Sequence, residues 1–416
     1  LPAGDNQQSS MAFACAVTGY IFGHKRGHAP AAREMFRAGV SRYYGLLRRL
    51  GAGGWSGEGS TYHCQVVAPV LALFTAFMEQ ITGRDLLNLR LGESSVGETL
   101  TTACSIVNGA GLLPGWDDYG NCAPQLKTHF VYLARRTREA WPLEEIVRHG
   151  MWSENEILAW YNDDKVWSAV FWPDAQPDVS APRPPRSWLN PPVAGKLWAD
   201  SGTMDLLQMW DVMEGGRPGR AHLNPNSIEL CSFGAVHTSD GRAVGTDTAY
   251  FGTPPERMFN ADDYRAFENG VRFWATQGGE NPDAIAPEEL RRRVEQAALD
   301  HARGCSSSLL DAHSVIVVDR EGYRFSRATF TGGGSGRCDL PSLKAVRGDV
   351  PDLYRELWGV TSMKRSSLLL GDRLVLLHDR IEASSPHRYT WQLMLRPAVE
   401  AEGCRARQRL REGPVL

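Results

Sequence analysis

Between Phe171 and Val193 the chain turns dense in proline, FWPDAQPDVSAPRPPRSWLNPPV, and no helix can run through it. Proline fixes φ and carries no amide hydrogen, so such a run reads as an extended connector. It separates two halves with different hydrophobic periods. At 416 residues the chain is too long for one ordinary compact core, so the break is a domain boundary. The expected division is a helical domain over 1–172, a Pro-rich linker over 173–193 and a strand-rich domain over 194–416.

In the first half apolar residues recur near every 3.6 positions. Ser9 and Ser10 are expected to cap a helix over Met11–Phe22 that Gly23 closes. Ala31–Leu50 and Val66–Thr82 follow, the latter stopping at Gly83, with further helices near 95–107, 124–139, 143–150 and 154–161. Successive amphipathic helices joined by polar, aromatic loops suggest a toroid or solenoid. In the second half the apolar runs are short and separated by turn residues: Lys196–Trp198, Leu206–Trp210, Ile228–Phe233, Ser314–Val318, Tyr323–Phe325, Leu374–Leu377 and Tyr389–Leu395. That pattern fits an antiparallel sandwich, interrupted by one helix over Pro287–Arg303. The fold class expected is therefore α+β multidomain, helices first and a β-sandwich second.

Composition narrows the function. A net charge of −3 gives no global reason to expect nucleic acid as a partner. No run of about 18 apolar residues is evident, so no membrane insertion is expected. The eight cysteines are scattered without a CxxC pair, which excludes a zinc ribbon and supplies no disulfide framework. The chain starts at Leu1 without a signal-type apolar region, which reads as a processed or incomplete chain.

Polar residues concentrate in a few places. The segment GRAHLNPNSIELCSFGAVHTSDG, residues 219–241, sets Arg220, His222, Asn226 and Asp240 around one apolar strand. With His313, just before another strand, His222 and Asp240 make a donor set suited to zinc; spacing alone does not separate it from three unrelated strand-edge residues. The Gly-rich segment GAGGWSGEGSTYHC, residues 51–64, places Trp55, Glu58, Tyr62 and His63 within nine positions. Those groups suit sugar binding or proton transfer, or simple packing. Asn6 and Gln7 stand at a helix start, where amides cap or bind an anion. Trp116-Asp117-Asp118-Tyr119 could offer a general acid, and TGGGSGRC over 331–338 reads as a flexible turn.

Together these stretches resemble the heparinase II/III-like polysaccharide lyases and related alginate lyases. The 219–241 segment aligns without a gap to a family segment of the form GHGHADxNSFELYAFGxPLLVDPG, matching at Asn226-Ser227 and Phe233-Gly234, with Asp240-Gly241 on the acidic turn. Ala312-His313-Ser314-Val315 and KRSSLLLGDRLVLLHDRI, residues 364–381, resemble later elements, so the likeness spans roughly 5–395. It implies an (α/α) toroid followed by an antiparallel β-sandwich, with part of the toroid missing here. It implies β-elimination on an acidic, uronate-containing polysaccharide, and a secreted or periplasmic location. His222, Asp240 and His313 fall on the family's metal ligands, implying structural Zn2+. Tyr62 falls near the catalytic tyrosine, and Asn6, 56 positions earlier, on the carboxylate-neutralising residue. His63 is an alternative base, Arg220 stands where the family has a histidine, and Gln7, Trp55, Glu58, Trp116 and Asn226 complete a substrate-binding set. Arginine pairs with carboxylate or sulfate but cannot serve as a base near neutral pH. Three rivals stay open: a uronate C5-epimerase, an (α/α) glycoside hydrolase using Glu58 with Asp117 or Asp118, and a non-catalytic glycan-binding protein.

Overall fold

The computed structural model describes residues 6–23, 29–55, 59–115, 124, 127–149, 164–173, 187–191, 193–210, 226–232, 235–238, 268–272, 275–276, 279–304, 314–319, 333–350, 354–355, 358–371, 373–393, 399–402 and 405–408. Helices come first. α1 (Asn6–Phe22) and α2 (Ala29–Leu47) form a hairpin whose backbones nearly touch. A Cβ at Gly39 would lie 2.5 Å from the Ala16 nitrogen, and one at Gly19 would lie 2.4 Å from the Phe36 nitrogen. Small residues at Ala12, Ala16 and Ala32 allow that approach. α1 starts five residues ahead of the expected Met11. Ser9 is not a cap but a buried residue inside the helix, because the first turns pack against the later core.

The 51–64 segment is not a loop throughout. Residues 51–55 are pinned: the Gly54 N–H donates to Ser94 Oγ, while the Gly53 carbonyl accepts from Thr102 Oγ1 and Asn190 Nδ2. Gly53 and Gly54 have φ of 68° and 73°, the left-handed region that glycine occupies without cost. A helix then begins at Gly59, not near Val66. It runs as α3 (Gly59–Tyr62), one π-turn (His63–Val67) and α4 (Ala68–Thr82), and Gly83 ends it with φ 67°. By length and composition His63–Thr82 could cross a bilayer, a possibility the expectation of no such run passed over. Here Cys64, Ala68, Leu71, Phe74 and Met78 are buried in the helical core.

α5 (Val96–Ser105) starts with a capping box between Ser95 and Glu98, then α6 (Thr128–Thr137), α7 (Trp141–Arg148) and α8 (Asp164–Phe171) follow. The helix expected over 154–161 lies outside the described residues. Strands begin at β1 (Trp188–Asn190), inside the stretch read as a linker. β1, β2 (Ala194–Trp198), β3 (Met204–Met209), β4 (Ser227–Ser232) and β5 (Ala235–Val236) form a five-stranded antiparallel sheet in that order. After α9 (Pro287–Gly304) come β6 (Ile316–Val318), then a second antiparallel sheet of β7 (Gly333–Leu340), β8 (Leu343–Asp349), β9 (Val360–Leu370) and β10 (Leu374–Ala383). β11 (Tyr389–Trp391) pairs with β6, and β12 (Val399–Glu402) with β13 (Arg405–Gln408).

The two sheets pack through Leu197, Leu206, Trp210, Val346 and Leu369. Trp210 explains a misreading. The Gly-rich run over 331–338, read as a turn, supplies β7 instead. A Cβ at Gly334 would stand 2.5 Å from the Trp210 ring, at Gly195 2.8 Å and at Gly348 2.8 Å. Glycine is used there to admit an indole, not to bend the chain. The other face of the first sheet joins the helices, since Ala194, Leu207 and Met209 belong to the helical core. The strand expected over 323–325 lies outside the described residues.

Candidate active site

Period-2 alternation puts Lys196 of β2, Asp205 of β3 and Glu229 of β4 on the helix-facing side of the first sheet. All three are buried, Glu229 completely. They converge on one loop, residues 106–115, which follows α5. Lys196 Nζ donates to the Val107 carbonyl at 2.7 Å, and the Gly109 N–H donates to Asp205 Oδ1 at 2.9 Å. A Cβ at Gly109 would fall 2.2 Å from that carboxylate oxygen, so only glycine lets the loop approach. Glu229 accepts from Asn108 Nδ2 at 2.6 Å and from the Gly115 N–H at 3.1 Å.

Burial dominates the electrostatics here. It pushes the Asp205 carboxyl up to about 8 against the pull of Lys196, and the nearby Glu229 adds to the rise. It pushes the Lys196 ammonium down, against Glu145 and Asp205. For Glu145 burial is outweighed by the His149 hydrogen bond and the charge of Lys196, leaving its carboxyl below the usual range.

On the helical side, Ser60 Oγ donates to the Pro114 carbonyl at 2.8 Å. Two residues on, half-buried Tyr62 stands at the entrance to the π-turn. Such turns frequently mark functional sites. The neighbouring candidates lie deeper. Trp55 is 5% exposed and packs on His63, ring centroids 4.5 Å apart. His63 is fully buried; burial pulls its imidazole down to about 4, against a hydrogen bond to the Thr99 backbone. A base and a sugar platform need contact with substrate, and both residues are instead core side chains in this arrangement. His129 of α6, also fully buried, has no hydrogen-bond partner at either ring nitrogen among the described residues. Burial brings it down to about 3, with His63 and Lys127 adding to the effect.

Asn226 lies between the sheets, wholly buried, with φ 54°. Its Oδ1 accepts from Gln208 Nε2 at 3.0 Å, so its role is to join strands rather than to meet a sugar. The main chains of Asn6 and Gln7 open α1. Glu58, Trp116, Arg220, His222, Asp240 and His313 lie outside the described residues, as do Asp117 and Asp118. Among the described residues no group of three His, Cys, Asp or Glu side chains could hold a metal ion. One contact bears on the expected metal triad. Arg365, fully buried and paired bidentately with Asp379, donates through a single nitrogen to the Asn226 carbonyl at 2.8 Å and the Ser314 carbonyl at 2.9 Å. Arg365 thereby holds the main chains of Asn226 and Ser314 to one point.

Sequence reasoning missed Lys196, Asp205, Glu229 and Asn108. The available signal was a charge at an inward position of each of three apolar strands.

Known structures match this architecture. A heparinase III with methylated lysines superimposes with a TM-score of 0.52 at 10% identity, covering 94% of this chain and 47% of its own. A second heparinase III crystal structure gives 0.50 at 11%, covering 92% and 48%. The likeness shows the fold, a helical toroid followed by an antiparallel β-sandwich, and the chain spans about half the length of the structures it matches. No family model and no curated protein matches the sequence.

Proposed function

We propose that the protein is a polysaccharide lyase that cleaves a uronate-containing polymer by β-elimination, leaving a 4,5-unsaturated uronate end. The observation that carries this reading is the position of Tyr62, immediately before a π-turn and in the same short helix as Ser60, which is tied to the loop that the sandwich grips. The heparinase III likeness of the fold supports the same reaction class.

The C5 proton of a uronate is weakly acidic, so the site must stabilise the enolate-like anion that forms at the carboxylate. Asn6, with Gln7 and Arg220, would hydrogen-bond that carboxylate. Tyr62, as phenolate, would take the C5 proton; the C4–O bond breaks, and the tyrosine returns the proton to the leaving oxygen. A free tyrosine has a pKa of ~10, so a nearby cation is needed, a role that suits Arg220. His222, Asp240 and His313, two imidazoles and a carboxylate, have the chemistry to hold structural zinc. The convergence of the Asn226 and Ser314 carbonyls on Arg365 supports that reading.

The test is incubation with a panel of uronate polysaccharides, recording ultraviolet absorbance and product mass. The expected product is unsaturated, and Tyr62→Phe is expected to abolish it while leaving the circular dichroism spectrum unchanged. Saturated ends would indicate a hydrolase, C5 inversion without cleavage an epimerase, and full activity in Tyr62→Phe would remove the tyrosine from the chemistry.

A further inference from the structure

We infer that Glu229 and Asn108, which belong to different domains, are positioning residues that set Tyr62 for catalysis through the Pro114–Gly115 peptide; the inference rests on the lyase reading above. The chemistry of the link is specific. The carbonyl of Pro114 and the N–H of Gly115 are the two polar ends of one peptide group. Its N–H donates to Glu229 Oε2 at 3.1 Å and its C=O accepts from Ser60 Oγ at 2.8 Å. A peptide group is planar and stiff, so movement at one end is carried to the other. Hydrogen bonds arranged in series also polarise one another, and an anion at the N–H end makes the C=O end a stronger acceptor. Glu229 and Ser60 are both fully buried, which keeps water from substituting for either contact.

Asn108 fixes where the carboxylate points. Its Nδ2 donates to Glu229 Oε1 at 2.6 Å, while its Oδ1 accepts the N–H groups of Ala110 and Leu112, both at 3.0 Å. The Asn108 N–H in turn donates to the Leu112 carbonyl at 2.8 Å. One side chain thus shapes the loop and delivers it to the sheet. Lys196 and Asp205 grip the same loop nearer its start, at Val107 and Gly109. The final contact, at Gly115, is the one continuous with Ser60, and Ser60 is in the same helical turn as Tyr62. A tilt of that turn displaces the tyrosine from the C5 proton, and misplacements on the order of 1 Å cost about 100-fold in rate.

The experiment uses a donor–acceptor exchange. Glu229→Gln turns an amide nitrogen toward Asn108 Nδ2 or the Gly115 N–H, the donors from which the carboxylate accepts among the described residues. Asn108→Asp turns a carboxylate toward Glu229. In the double variant the two positions exchange roles. The new amide nitrogen at position 229 can donate to the new carboxylate at position 108, and the amide oxygen can still accept from Gly115. The carboxylate at position 108 can still accept from Ala110 and Leu112. Each single variant is expected to lower kcat about tenfold or more with KM within about twofold, and the double variant to recover to within about threefold of the parent. A contact that merely supports the fold would reduce the yield of folded protein and leave kcat per folded molecule intact. Parental kcat in folded Glu229→Gln, or loss in the double variant equal to the product of the single losses, overturns the inference. Should Glu229→Gln fail to fold, Ser60→Ala decides: a fall in kcat supports the relay, and parental kcat overturns it. A parent that makes no unsaturated product from any uronate polymer fails the lyase reading itself. An active parent with unaffected Glu229→Gln fails only the positioning role.

Discussion

The two faces of the five-stranded sheet are built from alternating residues of the same strands, yet they solve different problems. On the face toward the second sheet, the centre is Trp210 among three glycines, and the polar groups are mostly neutral and satisfied by other side chains. Gln208 donates to Asn226 and accepts from Ser367. On the face toward the helices, Lys196, Asp205 and Glu229 spend their hydrogen bonds on a loop from the other domain. Ionic groups are a poor source of stability when buried, because desolvation offsets the gain. Their placement is better understood as directional: a carboxylate that accepts two defined N–H groups fixes where a loop sits. The first face holds the sandwich together, and the second aims part of the toroid.

Variants on the two faces should therefore part stability from rate. The largest expected loss of stability is from Trp210→Ala, about 3–5 kcal/mol by urea denaturation, with kcat of the folded fraction unchanged. A drop in kcat there would blur the contrast that the Glu229 and Asn108 variants are meant to draw.

Asp205 tests the ionic face through pH. Its carboxyl is pushed up to about 8 in the folded state from an ordinary value near 3.8. Between those values the unfolded chain releases a proton that the folded chain keeps, so this contribution to stability is greatest below the lower value and is lost as pH rises through about 8. Asp205→Asn is expected to be more stable than the parent at pH 7, by on the order of 1 kcal/mol or more, with a flatter profile between about pH 5 and 9. Denaturation midpoints that fall with pH equally in both proteins would show that Asp205 is not the group responsible.

The smallest effect at neutral pH belongs to the histidines inside the toroid. His63 and His129 are held down at about 4 and about 3, below the ordinary 6.5. They are neutral in the folded state where the unfolded chain would bind protons, so stability is full above about 6.5 and falls as pH drops toward those values. Replacing one, His129→Phe, should reduce the acid-side slope by about 1.4 kcal/mol per pH unit while altering stability at pH 7 by less than about 1.5 kcal/mol. An unchanged acid profile would mean that the loss begins in the sandwich.

Much of the framework could be read directly from residue patterns. α2, α5, α9 and the strands β2 to β4 declare themselves by period, and Gly83 marks the end of α4. β7 did not, because glycine carries no hydrophobic period and its purpose is visible only when Trp210 is seen against it. The start of the Tyr62 helix was hidden for two reasons: glycines precede it, and the π-turn breaks the 3.6-residue repeat. The local pattern singles out Tyr62 and Asn6, and the roles proposed for them come from the resemblance. The domain seam was invisible for a different reason. Lys196, Asp205 and Glu229 look like misplaced charges until the loop that receives them is on the other side.

The π-turn at His63–Val67 has a consequence for how chains of this architecture can diverge. Such a turn is an α-helix holding one residue more than its ladder needs. Losing a single residue from it would restore a regular helix at no cost in length of core. Because the bulge absorbs that residue locally, Tyr62 and Ser60 ahead of it would keep close to their present facing relative to α4, while the side chains within His63–Val67 would change register. One codon lost at this point would leave Tyr62 facing much as it does and change which side chains of the turn pack into the helical core.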